Sequence, residues 1–201
     1  MPIRAVFFDF GGVILRTEYQ SPRQGLAERF NMDYEEIEKV VFGSESARRA
    51  SLGEITEEAH WLEVLKRLGQ PASEMKAFQD VFFGGDVIDR ELVHFIRSLR
   101  GRVHTGLISN AWSGLRDYLA KEKLTDLFET MVLSAEVAVI KPDERIFTLA
   151  LERAGLRPTE AVLLDDFPVN IEGCEKVGMK GILFNDPPKA LAQLEELLKA
   201  R

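Results

Sequence analysis

The sequence predicts an α/β fold, a doubly wound parallel sheet with a small helical insertion after its first strand. Three observations lead to this expectation. Short apolar runs recur at Ala5–Phe8, Val103–Ile108, Ala161–Leu164 and Gly181–Phe184, with a weaker one at Met131–Leu133. Continuous runs of this length belong to strands buried on both faces. Helical patterns separate the runs, and strands alternating with helices imply parallel pairing with helices on both sides. Residues 17 to about 86 are the exception, since helical patterns alone occur there.

Each element has its own signal. In the insertion, Leu26, Ala27 and Phe30 suggest one helix and Ile37, Val40 and Val41 a second. Trp61, Val64, Leu65 and Leu68, closed by Gly69, give a third, and Met75, Phe78 and Phe82 give a fourth before Gly84-Gly85. Hinges are expected at Arg16 to Ser21 and at Gly84 to Asp89. Beyond it, Leu92, Phe95, Ile96 and Leu99 share a helical face, with Asp89 placed to cap the start and Gly101 just past the end. Leu115 and Leu119 mark a helix after Ser113. Asp143 is placed to cap a helix carrying Ile146, Phe147 and Ala150 and stopped by Gly155. Val177 ends a helix before Gly178, and the last helix follows Asp186-Pro187 with Leu191, Leu194, Leu197 and Leu198 on one face.

Composition narrows the function. A chain of 201 residues suits one domain with a modest insertion. The net charge of −7 argues against a nucleic-acid partner, which selects for a basic excess. The single cysteine, Cys174, excludes an intramolecular disulfide and suits a reducing compartment. The start "MPIRAVFF" has no signal-peptide pattern, and no run approaches the roughly 18–20 apolar residues of a membrane span. The expectation is a soluble, cytoplasmic protein with no membrane partner; composition does not set the oligomeric state.

Ligands of open parallel sheets bind beyond the carboxyl ends of the strands. Asp9 follows the first run, Ser109 and Asn110 the second, Lys141 the Met131–Leu133 region, and Asp165 and Asp166 the next. Taken singly, each reads as turn chemistry or a solvated surface group. Taken together, at successive strand exits, they form one crevice. Three acids beside one lysine repel one another unless a cation joins them, and oxygen-only ligands point to Mg²⁺. The lysine and Ser109 would then face an anionic group, most simply a phosphate. A carboxylate can attack phosphorus, with metal and lysine stabilising the transferring group. Asn170 is placed to cap the following helix. His60, His94 and His104 are scattered and take no role. Trp61, Trp112, Phe82 and Phe83 are candidates to line the crevice; helical spacing makes Trp61 a core residue and favours Trp112.

The stretches "FFDFGGVIL", "LISNA", "IKPDERIF" and "LLDDFPVNIEG" resemble the four motifs of the haloacid dehalogenase-like hydrolase superfamily. The "DFGGV", "KPD" and "LDD…N" forms are most similar to the branch with the phosphatase domain of soluble epoxide hydrolases and bacterial sugar-phosphate phosphatases. The resemblance implies a Rossmann-like core, residues 1–16 plus 87–201, and a helical cap, residues 17–86. It implies Asp9 as nucleophile and Mg²⁺ ligand, the Gly11 backbone carbonyl and Asp166 as further ligands, and Ser109, Asn110 and Lys141 as phosphate-binding groups. Lys141 is also catalytic, neutralising phosphate and nucleophile together. Asp165 stands behind Asp166, and Asn170 steadies that loop.

Gly11 departs from the family pattern. Most phosphatases of the superfamily carry an aspartate there, which protonates the leaving oxygen and later activates water. General acid–base help is typically worth about 10²–10⁴ in rate. Solvent, the substrate, or Glu18 and Tyr19 at the start of the insertion are alternative sources. The leading expectation is a Mg²⁺-dependent phosphatase for a small phosphorylated metabolite such as a sugar phosphate. The alternatives are a non-catalytic phosphate- and metal-binding module and a 2-haloacid dehalogenase, which would leave the Asp165-Asp166 pair without a purpose.

Overall fold

The structure, a computed structural model, describes residues 2–199; Met1, Ala200 and Arg201 lie outside the described residues. The chain begins with β1 (Ala5–Phe8) and turns into β2 (Leu15–Thr17). Five helices follow: α1 (Ser21–Arg29), α2 (Tyr34–Val41), α3 (Glu45–Ser51), α4 (Glu57–Arg67) and α5 (Met75–Phe82). After β3 (Asp86–Ile88) come α6 (Arg90–Leu99), β4 (His104–Ser109), α7 (Leu115–Lys121), β5 (Thr130–Leu133) and the single turn α8 (Ser134–Val137). The chain closes with α9 (Glu144–Ala154), β6 (Ala161–Asp165), α10 (Pro168–Lys176), β7 (Lys180–Leu183) and α11 (Pro187–Lys199).

β1, β4, β5, β6 and β7 form one parallel sheet in the order β5-β4-β1-β6-β7, with β1 at its centre. Strand residues alternate between two cores because successive side chains point to opposite faces. Val6, Phe8, Leu107 and Leu164 pack with Leu92, Ile96 and Leu99 of α6 and Leu194 of α11. Ala5, Phe7, Ile108 and Leu163 pack with Ile146, Phe147 and Ala150 of α9 and Cys174 of α10. Burial on both faces explains why these strands read as unbroken apolar runs. Gly106 is required by packing, since a Cβ there would run into the Phe7 ring of the neighbouring strand.

The caps expected from sequence form. Asp89 accepts from the Leu92 N–H at 2.9 Å and Asp143 from the Arg145 N–H at 3.0 Å, and Gly155 closes α9 in the left-handed region at φ 66°. Two expectations need correction. The segments expected as plain hinges pair into an antiparallel ribbon, Leu15 with Ile88, Arg16 with Val87 and Thr17 with Asp86. Three-residue strands are too short to show a period-2 pattern. The insertion also holds a fifth helix, α3, whose buried face consists only of Ala47 and Ala50. It starts where the Ser44 side chain accepts from the Ala47 N–H.

The helices of the insertion enclose a third core, in which Leu26, Ile37, Val41, Trp61, Leu65, Phe78 and Phe82 are buried. Trp61 and Phe82 are buried there as core residues. Arg23 locks this unit to the ribbon: its Nη2 donates to both Asp86 oxygens at 2.7 and 2.8 Å, its Nε to the Phe82 carbonyl at 3.0 Å, and its Nη1 to Glu38 at 2.5 Å. Among the described residues no helix is long and apolar enough to cross a membrane.

Candidate active site

Four strand exits meet at the carboxyl edge of the sheet. Asp9 is the residue after β1, and its N–H donates to the Leu164 carbonyl of β6 at 2.9 Å. Gly12 then turns at φ 74°, where a side chain would be strained. A Cβ on Gly12 would also collide with the Asp166 carboxylate. The glycine therefore lets the carboxylate of the β6 exit lie directly against the turn that follows Asp9.

Lys141 sits between two of the acids. Its side chain is fully buried, with Nζ 2.9 Å from Asp9 Oδ1 and 2.5 Å from Asp165 Oδ2. Asp9 Oδ1 also accepts the Phe10 N–H at 2.7 Å. Asp165 is saturated, because its Oδ1 accepts the Phe167 N–H and Asn170 Nδ2, each at 2.9 Å. Asp166 is different: its Oδ1 is buried and has no hydrogen-bond partner. The three carboxylates offer oxygens within 4.8 Å of one another.

Three carboxylates thus face one ammonium. Burial alone would lower the Lys141 pKa, but the Asp9 and Asp165 charges outweigh it and hold the lysine protonated, above its ordinary value. Burial pushes the Asp9 carboxyl up, and Asp165 adds to that while Lys141 opposes it. Asp166 is pushed up to about 7, first by burial and then by repulsion from Asp9 and Asp165. An oxygen-only donor set with one orphaned carboxylate oxygen fits a hard divalent cation.

The remaining candidates lie at the same edge. Ser109 is the buried last residue of β4. The Asn110 side chain is spent on the backbone of Lys141, accepting its N–H at 2.7 Å and donating to its carbonyl at 3.0 Å. Asn170 does not cap α10, whose cap position is Phe167; it is buried in the first turn and its side chain donates to Asp165.

A family model described as haloacid dehalogenase-like hydrolase matches residues 3–178. The chain belongs to the haloacid dehalogenase-like hydrolase family. It is 26% identical to bifunctional epoxide hydrolase 2 of Rattus norvegicus, over 98% of this chain and 39% of that protein. The chain therefore spans well under half the length of that relative. It is 25% identical to a phosphorylated carbohydrates phosphatase of Thermotoga maritima, over 90% of this chain and 84% of that protein. A haloacid dehalogenase family enzyme of Bacteroides thetaiotaomicron, solved in complex with magnesium and inorganic phosphate, has the same fold. Its TM-score is 0.73 at 21% identity, covering 90% of this chain and 93% of that one.

The five-stranded parallel sheet is the Rossmann-like α/β core expected of this family. Position 11 stands beside open space. Gly11 is exposed, its φ is not positive, and a Cβ built there meets no atom within 4 Å. Two features had no signal in the family motifs. One is the Asn110 clamp on the Lys141 backbone, which joins residues 31 apart in sequence. The other is the seat of Trp112, which packs onto the insertion's core. The Asn110 pairing depends on tertiary structure alone.

Proposed function

We propose that the chain is a Mg²⁺-dependent phosphatase that cleaves small phosphorylated metabolites, sugar phosphates among them, through an aspartyl-phosphate on Asp9. One observation carries this reading: Lys141 bridges Asp9 and Asp165 beside an Asp166 oxygen that has no partner. A cation shared by Asp9, Asp166 and the Gly11 carbonyl would give that oxygen its partner. The relative from Thermotoga maritima, by name a phosphatase for phosphorylated carbohydrates, supports the substrate class.

Asp9 Oδ1 is held by the Phe10 N–H and Lys141, which leaves Oδ2 without a hydrogen bond. That oxygen attacks phosphorus. The ester P–O bond breaks, and its electron pair leaves with the alcohol oxygen. Water then cleaves the acyl phosphate, returning the Asp9 carboxylate and releasing inorganic phosphate. Lys141 keeps its proton throughout and places positive charge against both nucleophile and phosphoryl group. Ser109 and the Asn110 N–H face the phosphate. Asp165 orients Lys141, and Asn170 and the Phe167 N–H hold Asp165 in turn. Mg²⁺, when bound, neutralises the phosphoryl oxygens and offsets the repulsion among the carboxylates.

No side chain stands at position 11 to protonate the leaving oxygen, so leaving groups that depart as stable anions are favoured. The test is phosphate release from an aryl and an alkyl phosphate, with Mg²⁺ and with EDTA. The aryl ester should be cleaved faster by about 10² or more, and EDTA should abolish both activities. Equal rates for the two esters would show that another group supplies the proton. No release from any phosphate ester would overturn the reading. Haloacid turnover in EDTA would favour dehalogenation, chemistry for which the Asp165-Asp166 pair has no use.

A further inference from the structure

The five residues after β4 run from the phosphate side of the crevice into the core of the helical insertion, and each of them is tied down. Asn110 clamps the Lys141 backbone at 2.7 and 3.0 Å. Ala111 is held by the buried Ser134 of α8, whose Oγ accepts the Ala111 N–H at 2.9 Å and donates to its carbonyl at 3.2 Å. Trp112 enters the insertion's aromatic cluster. Its ring lies 4.4 Å from His60, 5.5 Å from Trp61 at 90°, and 5.9 Å from Phe42, nearly parallel to it. Ser113 Oγ accepts the Glu57 N–H at 3.3 Å, and the Gly114 N–H donates to Glu57 Oε2 at 3.0 Å. The turn between α3 and α4 meets the same α8, since a Cβ on Gly53 would collide with the Ala135 carbonyl.

We propose that Trp112 is a positioning residue: seated in the insertion's aromatic core, it sets the 109–114 loop and, through Asn110, the backbone of Lys141. Trp112 belongs to the core loop by sequence and to the insertion by packing. Swinging the insertion away as a free lid would pull an indole out of a ring cluster and break both Glu57 contacts. Aromatic pairs of this kind add stability beyond their burial. The insertion is thus part of the support of the phosphate side of the site. Only the catalytic consequence rests on the phosphatase reading; the structural coupling does not.

Hydrogen exchange read by mass spectrometry on the full chain tests the coupling in wild type, Trp112→Ala, Trp112→Phe and Phe78→Leu. Phe78 lies in the same aromatic core, against Trp61 and Phe82, so Phe78→Leu loosens that core without altering the loop. Trp112→Ala should speed exchange about tenfold in peptides covering 109–114 and also 139–142, while Trp112→Phe restores most of the protection and Phe78→Leu affects the insertion alone. Unchanged exchange at 139–142 in Trp112→Ala would overturn the proposal, as would equal loosening there in Phe78→Leu. With an aryl phosphate, kcat should fall about tenfold in Trp112→Ala with a smaller change in KM, and Trp112→Phe should recover it. A loosened loop with unchanged kcat would remove the catalytic consequence. A wild type that cleaves no phosphate ester would overturn the phosphatase reading and leave the exchange result to decide the coupling.

Discussion

The carboxyl edge of the sheet and the helical insertion solve opposite problems. At the edge the ionisable groups of Asp9, Lys141, Asp165 and Asp166 crowd together; Lys141 pairs with Asp9 and Asp165, and Oδ1 of Asp166 is buried without a partner. In the insertion, rings fill the space, and the buried charge of Arg23 is matched by Asp86 and Glu38. Its buried His60 is the counterpart of Asp166, since its Nε2 also lacks a partner. Burial drives both groups to their neutral forms, His60 down to about 4 and Asp166 up to about 7. Neutrality suits a ring in an aromatic nest. An acid beside two others is left short of positive charge. The comparison teaches that substitutions at the edge should remove chemistry, whereas those in the insertion should change stability first.

The largest expected effect is at Asp9, the proposed nucleophile. Asp9→Asn should lower turnover by about 10⁴ or more while circular dichroism still reports a folded chain. Turnover within tenfold of wild type would break the comparison at its strongest point. Next is Lys141→Met, which leaves Asp9 and Asp165 buried without their cation. Breaking a buried pair costs about 3–5 kcal/mol, so denaturant unfolding should show a loss of that order together with loss of activity. Added Mg²⁺ should recover part of the stability.

His60 sharpens the other side. Its folded pKa is depressed by burial, so the unfolded chain binds the proton more readily. Its contribution is full above its ordinary value of 6.5 and is lost as pH falls toward about 4, by up to about 3 kcal/mol. Urea unfolding at pH 7 and pH 4.5 should show this slope, and His60→Gln should flatten it. The smallest effect belongs to Gly11→Asp. Open space and an ordinary φ allow the side chain, so the protein should stay folded. The aryl-to-alkyl rate ratio should shrink by about 10–100-fold.

Much of the edge was legible in the sequence because each of its residues ends an apolar run. Asp9 after Phe8 and Asp165 after Leu164 follow strands buried on both faces, so burial and polarity change within one residue. The Asp165-Asp166 pair was visible as a pair, and its division of labour was read only from the family resemblance, not from the residues themselves. That division comes from Asn170 and the Phe167 N–H, which satisfy one acid and leave the other. Less of the insertion was legible. The ribbon of β2 and β3 is three residues long in each strand, and α3 buries only two alanines, so neither has a pattern strong enough to read. Trp112 escaped because its partners, His60 and Phe42, are distant in sequence and come together only in the folded chain.

The central claim is that the edge binds one divalent cation and that Asp166 is one of its ligands. Isothermal titration of Mg²⁺ into wild type and Asp166→Asn, at pH 8 and pH 6, tests it directly. Wild type should bind one ion, and more tightly at pH 8, where the Asp166 carboxyl is ionised, than at pH 6, where it is protonated. Asp166→Asn should bind at least about tenfold more weakly at pH 8 and lose most of the pH dependence. Equal binding by the two proteins, or no binding by wild type, would contradict the account.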